Sequence, residues 1–345
     1  MLTSTLLAII VMTLSGCGGG GGGGSGSSTG NTNTQPGVSS SSSISSASSS
    51  TSSTTSTSSS SAASAVSLYD TDPVIGSCMT GQLKSSERTV VLNKVNDLRA
   101  RHGLLPVSYD ASQDNAAAEA ALYMVANATL TTTPSVSGQC YTTGAANLAS
   151  TSSIFIAAGT TPTTQNFAST APIAEYLMNV GVTTLASRRR LLNPFLGSTS
   201  FGRVDGQPTG SSFHYVSTVL KTQGNDVSDI SAMSNDFVAY PYGIYPVAEF
   251  NTGWYLSFSA IASKINAAAN GAGQVSFASA VITVMDGSTP LAVTDQAADY
   301  SAYGLLNALQ WKVSGLQNNT TYSVQISNVV VNGVTRQYNY TFRLQ

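Results

Sequence analysis

Residues 96–110 read Asn96-Asp97-Leu98-Arg99-Ala100-Arg101-His102-Gly103-Leu104-Leu105-Pro106-Val107-Ser108-Tyr109-Asp110. The string reads as the end of one helix, a glycine-to-proline turn and the start of a second helix. Upstream, Val91, Val95 and Leu98 fall at i, i+4 and i+7, the spacing of one buried stripe, on a helix expected from Ser85 or Ser86, as cap, to about His102. Gly103 stops that helix and Pro106 stiffens the exit. Downstream, Asp110 is a good N-cap for a second helix running through the alanine-rich stretch 116–121 to about Ala128. Its small side chains permit close approach of another layer.

Further along, residues 129–168 look loop-rich, with Thr and Gly clusters around Cys140. Ser169 or Thr170 then caps a third helix, with Pro172 in its first turn and Ile173, Tyr176, Leu177 and Val180 on one face. The run from Leu185 through Arg188-Arg189-Arg190 to Asn193-Pro194 leads to Phe201-Gly202-Arg203-Val204. Three adjacent arginines on a helix point in different directions, so a solvated or ion-paired role is expected for them. Phe213-His214-Tyr215-Val216-Ser217-Thr218-Val219 alternates like a half-buried strand.

Taken in order, these stretches resemble the cysteine-rich secretory protein, antigen 5 and pathogenesis-related superfamily, called SCP-like or CAP. Asn96, Arg99, Gly103, Leu104, Val107, Tyr109 and Asp110 match the pattern that ends the family's first helix. The run 185–194 is similar to the family's G-H-R-x-x-[IL]-L-x-P, with Ser187 where His is common. The strand 213–219 resembles G-H-Y-T-Q, and Ala239-Tyr240-Pro241-Tyr242-Gly243 with Trp254-Tyr255-Leu256-Ser257-Phe258-Ser259 resembles later runs of large bacterial members. The resemblance covers about residues 85–260 and implies a three-layer α/β/α sandwich. It also implies an extracellular protein that holds a sterol, fatty acid, glycan or peptide between its helices and sheet.

From about Gly273 the pattern becomes wholly strand-like, over 280–284, 309–313, 322–326 and 338–342, with Gly, Pro and Asn between the runs. Leu316-Gln317-Asn318-Asn319-Thr320-Thr321-Tyr322 resembles the tyrosine corner of fibronectin type III domains, with Asn318 in place of Pro. The hydroxyl of Tyr322 is expected to bond back to nearby backbone. About 70 residues is small for a complete sandwich, so this segment is expected to lean on what precedes it.

The start of the chain reads differently. A short apolar stretch runs into Leu14-Ser15-Gly16-Cys17, which looks like a bacterial lipoprotein signal (1–16) ending in a lipobox. Cys17 would carry the lipid, and Gly18 in place of Asp points to an outer-membrane address in a diderm host. Residues 17–66 are Gly-, Ser- and Thr-rich, cannot bury enough apolar area to fold, and make a flexible tether reaching about 35 to 40 Å. With Cys17 given to lipid, Cys78 and Cys140 remain, and an exported compartment permits a disulfide between them; two buried free thiols are the other reading.

Charged residues make up 9% of the chain and the formal net charge is -2, with no basic face, which argues against a nucleic-acid partner. The chain has two histidines. His102 sits at the helix end, where a capping or surface role is expected. His214 matches one His position of the family's two-His, two-acid cleft. The other positions hold no His near Asn127, Ala146 for the family Glu in Gly144-Ala145-Ala146-Asn147-Leu148, and either Glu175 or Asn179 for the second acid. So few ligands cannot hold zinc tightly, so no metal and no cofactor is expected. Serine is too common here for a Ser near His214 to mean anything, and no G-x-S-x-G elbow, EF-hand loop or phosphate-cradling glycine loop occurs in the folded part.

The sequence therefore leads to an α+β fold, an SCP-like three-layer sandwich over 67–262 followed by a small all-β sandwich over 273–345. The expected role is a degenerate, non-catalytic ligand-binding or scaffold module anchored to the envelope membrane through its N-terminal lipid. The binding cleft would include His214, Tyr215, Asn147 and Ala146, and the ligand would be a small lipid, glycan or peptide. Two rival readings are a hydrolase of peptides or cell-wall material using His214 with Glu175, and a passive surface spacer or adhesion protein.

Overall fold

In a computed structural model of the chain, the structure describes residues 10–12, 67–160 and 167–345. Cys17 and the tether lie outside the described residues, as does most of the signal stretch. In chain order the elements begin with β1 (Ile10–Met12), β2 (Tyr69–Thr71), β3 (Gln82–Leu83), α1 (Ser85–Arg101), β4 (Ser108–Tyr109), α2 (Asp114–Ala126), α3 (Thr143–Ser150) and β5 (Ser152–Gly159). They continue with α4 (Ala171–Met178), α5 (Ala186–Leu191), β6 (Ser198–Thr199), β7 (Phe201–Gly206), β8 (His214–Lys221), β9 (Phe237–Tyr240), β10 (Gly243–Tyr245) and β11 (Leu256–Ala260). The remaining strands are β12 (Val275–Ser276), β13 (Val281–Asp286), β14 (Thr289–Pro290), β15 (Val293–Asp299), β16 (Ala308–Val313), β17 (Thr321–Val331) and β18 (Val334–Leu344).

The motif at 96–110 is a staple built from its own polar side chains. Val91, Val95 and Leu98 of α1 are fully buried, and Gly103 ends the run at φ +67°, where a side chain would be strained. The helix opens at Ser85 without using it as a cap: Lys84 is the N-cap and makes no side-chain capping bond. Asn96 clamps the turn, accepting the Val107 N–H at 2.8 Å and donating to the Val107 carbonyl at 3.0 Å. Arg99 is fully buried and donates to the carbonyls of Leu105, Leu191, Asn193 and Leu196 at 2.9 to 3.4 Å. Burial pushes its guanidinium down to about 10, which leaves it charged at neutral pH. Asp110 accepts the Ser112 N–H at 3.1 Å over a short 3-10 turn, Ala111–Gln113, that leads into α2.

The first sheet has the order β1-β5-β8-β7 and is antiparallel throughout. Strands β5, β7 and β8 are buried on both sides. Ile156, Val204 and Val219 join a cluster with Ala117, Ala121 and Met124 of α2 and Ala145 and Leu148 of α3. Phe155, Phe201, Val216 and Leu220 point the other way, among Val91 and Leu98 of α1, Ile173 and Leu177 of α4 and Leu191 of α5. The sheet thus lies between two helical layers. Gly202 sets the closeness of one of them, because a Cβ there would fall 2.2 Å from the Ala117 carbonyl carbon.

Two elements arise inside the stretch read as loop-rich. α3 is capped by Thr142, whose hydroxyl accepts the Ala145 N–H at 3.0 Å. β5 follows at once, and because both its faces are covered it shows no polar–apolar alternation. α4 stops sooner than its apolar spacing suggested: Asn179 turns left-handed at φ +50°, so Val180 is outside the helix.

The later strands form two sheets, one ordered β15-β16-β11-β9 and the other β10-β18-β17-β13-β14, with β12 added to β17. They share one apolar cluster that includes Phe258, Leu309 and Trp311 from the first and Val284, Val324, Ile326 and Phe342 from the second. Tyr322 makes the corner bond: the Gln317 N–H donates to its hydroxyl oxygen at 2.6 Å. Hydrogen bonding does not break at 262–273. β9, β10 and β11, which precede that boundary, pair with each other or with β16 and β18 beyond it. The same cluster runs on into α1, α4 and α5, so the core of this region is continuous with that of the helical layer. The short C-terminal segment has too few strands for two closed sheets and takes three from upstream.

Candidate functional site

Strand alternation decides what His214 and Tyr215 can reach, since consecutive side chains leave opposite faces. His214 is half-buried at the first position of β8, paired with Gly159. It shares its face with Val216, which packs in the α1 and α4 cluster, whereas Tyr215 packs against the α2 and α3 cluster. The two do not line one surface. Ala146, half-buried, and Asn147, exposed, belong to α3 in the α2 layer. The Asn147 carbonyl accepts the Ser150 hydroxyl at 2.7 Å.

The face that His214 shares also carries a charged cluster centred on Arg203 and Asp205. Asp205 lies opposite Val216 in the register and Arg203 opposite Thr218, so both sit beside the row that His214 begins. Arg203 donates to Asp205 through Nε at 2.7 Å and Nη2 at 2.8 Å, a bidentate pair. It also donates to the Phe167 carbonyl at 2.6 Å and the Ser169 hydroxyl at 3.0 Å. The Tyr69 hydroxyl donates to Asp205, and Ser169 donates to Glu87 of α1 at 2.6 Å. Burial, with the Asp205 charge behind it, raises the Tyr69 hydroxyl far above the usual phenol range. For Arg203, burial alone would lower the guanidinium, but its bonds to Asp205 outweigh that and hold it above its ordinary value. The sequence held one clue to this cluster. Arg203 and Asp205 are two apart in a strand, which puts both on the face of Phe201.

Glu175 is half-buried on α4, and burial raises its carboxyl above the usual range. No hydrogen bond or ion pair joins it to His214 among the described residues. Its neighbour Tyr176 bonds to the Thr218 hydroxyl at 2.9 Å. Thr218 stands four residues along β8 from His214, about 13 Å at the strand rise. Asn179, the other candidate for the acidic position, has a structural task. Its Oδ1 accepts the Ser187 N–H at 3.0 Å at the start of α5, and its carbonyl accepts the Trp254 indole at 3.1 Å. Among the described residues, no group of three or more His, Cys, Asp and Glu is placed to hold a metal ion. Cys78 and Cys140 form a disulfide, with sulfurs 2.07 Å apart.

His102 and Arg188 differ most from expectation, whereas Arg189 makes an ion pair of the kind expected for the cluster. His102 is 1% exposed: it occupies the C-cap of α1 yet lies in the interior, where Nδ1 donates to the Ala239 carbonyl at 2.7 Å and Nε2 accepts from the Tyr245 hydroxyl at 3.2 Å. Burial pushes this imidazole down to about 4, so the ring is neutral and uses one nitrogen as donor and the other as acceptor. Arg188 and Arg189 are buried as well. Arg188 donates to the carbonyls of Leu177, Met178 and Tyr255 at 2.6 to 2.7 Å, and Arg189 reaches the Ser301 carbonyl at 2.7 Å and Asp299 at 3.2 Å. Arg190 donates to the Ser152 carbonyl at 3.0 Å. The guanidiniums of Arg188 and Arg189 join the helical layer to the region beyond residue 237. The adjacency of the three arginines in sequence could not show that three separate sets of carbonyls would surround them.

Residues 92–218 match the family model described as CAP, the cysteine-rich secretory protein family, which supports a CAP domain over that stretch and agrees with the helices and sheet found there. No curated protein matches the chain. The match ends within β8, four residues past His214, and the sheet-rich region after it lies beyond the matched residues.

Proposed function

We propose that the CAP domain is a non-catalytic scaffold at the cell envelope, tethered by a lipid on Cys17 and a Gly/Ser-rich linker. The observation that carries this reading is the fate of the polar groups beside His214. Arg203, Asp205, Tyr69, Ser169 and Glu87 bond to one another, so the carboxylates nearest that face serve the fold instead of a proton transfer or a cation. General acid–base work needs a partner within hydrogen-bond reach, and Glu175 makes no bond to His214, which counts against the hydrolase reading. His214 then acts as a rim residue of the sheet. The ligand-binding form of this proposal has no cleft joining His214, Tyr215, Ala146 and Asn147 to support it, and the scaffold form is preferred.

Calorimetric titration of the protein with zinc at neutral pH tests the loss of the metal site. No stoichiometric binding at micromolar zinc is expected; stoichiometric micromolar binding that disappears in His214→Ala would overturn the proposal. The anchor is tested by fractionation: Cys17→Ser should move the protein from the membrane to the soluble fraction. A variant that stays in the membrane would remove Cys17 from the account.

A further inference from the structure

A groove of about 630 Å³ lies on the sheet formed by β13, β17 and β18, beside the start of β10. That size falls within the range of small-molecule sites, roughly 300 to 1,000 Å³. None of the residues lining it carries a charge, in a protein whose core is laced with buried arginines. Its polar groups are Thr283, Ser323, Gln325, Asn339 and Thr341, and Tyr242 contributes an aromatic wall.

The floor is a cross-strand amide pair. Gln325 faces Asn339 in the β17–β18 register and donates to its Oδ1 at 3.2 Å. Among the described residues, the second half of each amide makes no hydrogen bond: Gln325 keeps an acceptor and Asn339 keeps a donor. The hydroxyls of Thr283, Ser323 and Thr341 are likewise uncommitted among the described residues. Tyr242 is held by an edge contact to Phe237, with centroids 5.9 Å apart, so its ring is fixed in advance.

We infer that this groove binds a neutral oligosaccharide. Vicinal sugar hydroxyls each donate and accept, which suits an amide pair offering one of each and a ring of free hydroxyls. The apolar C–H face of a pyranose fits against a fixed tyrosine ring. A fatty acid or sterol would strand five polar groups against hydrocarbon, and an acidic glycan or nucleic acid would meet no cation. This inference stands apart from the CAP reading, because the groove lies wholly beyond residues 92–218.

The test is calorimetric titration of the full chain with cellohexaose, maltohexaose and N-acetylchitohexaose, with hexagalacturonate as the acidic control. Binding of at least one neutral hexasaccharide is expected at a Kd between about 10 µM and 1 mM. Ser323→Arg, which fills the groove from the exposed face, should abolish it. Asn339→Asp, of nearly the same shape, removes the free donor and should weaken it about tenfold. His214→Ala should leave it unchanged. A far-UV spectrum matching the parent establishes that each variant is folded; if Ser323→Arg is not, Asn339→Asp decides alone. The inference is overturned if none of the three neutral sugars binds, if hexagalacturonate binds more tightly, or if the folded groove variants bind like the parent.

Discussion

The guanidinium carbon of Arg188 lies 3.9 Å from the centre of the Tyr240 ring. One residue comes from α5 in the helical layer and the other from β9 among the later strands. The contact is buried on both sides, and burial lowers Arg188 to about 10 without neutralising it. A charge so placed survives because backbone carbonyls surround it. Replacing Arg188 with Met removes their donor, and the expected loss of stability is about 3–5 kcal/mol by urea unfolding. Arg188→Lys should recover part of this but not all, since an ammonium cannot reach the same carbonyls as a planar fork. A Met variant within about 0.5 kcal/mol of the parent would show that the junction is held by apolar packing alone.

His102 gives the protein a pH dependence with a definite sign. In the unfolded chain the imidazole takes a proton near 6.5; in the fold burial delays this to about 4. Between those values the unfolded state binds more protons, so stability is full above 6.5 and falls as pH drops through that window. The contribution is about 3 kcal/mol. Unfolding curves at several pH values should be flatter over this range for His102→Gln than for the parent. Parallel curves would exclude His102 as the source.

Gly202→Ala should be severe although alanine suits strands no worse than glycine. The added methyl meets backbone atoms of α2, which cannot swing aside as a side chain can. An overpacking cost of about 1–3 kcal/mol is expected, or more where the helix must lift from the sheet, read as a drop in the thermal midpoint.

The Cys78–Cys140 bond closes a loop spanning 62 residues, for which the chain-entropy account gives about 4 kcal/mol. The double variant Cys78→Ala/Cys140→Ala should unfold at correspondingly lower urea. The parent should match it after reduction. If reduction leaves the midpoint unchanged, the thiols are not bonded in the protein.

Cutting the chain after residue 262 tests whether the region before it is self-sufficient. Strand β11 would lose β16, and β10 would lose β18. Exposed edges and half of a shared core favour aggregation, so a fragment of residues 67–262 should be insoluble or molten. A cooperative unfolding transition in that fragment would show that the first sheet folds without the later ones.

What could be read beforehand followed how local each signal was. The first two helices, the glycine stop and the strand at His214 were legible because their apolar spacing and punctuation lie within single elements. The Tyr322 corner was legible for the same reason. β5 was not, since a strand covered on both faces shows no polar–apolar alternation. The interior positions of His102 and Arg188 were also hidden, because they depend on carbonyls contributed by residues 177–255 of the fold. At the candidate site, the strand carrying His214 could be read from the sequence, whereas the engagement of Arg203 with Asp205 and Tyr69 needed the strand register.

Strand β10 is bordered by β18, and the backbone of Val247 just after it is bonded to that of Gln345. A polypeptide emerging from a ribosome delivers β9, β10 and β11 long before β16 and β18 arrive to pair with β11 and β10. Until residue 344 is free, those strands expose greasy surface and open edges, so the chain should mature only after that point has been synthesised.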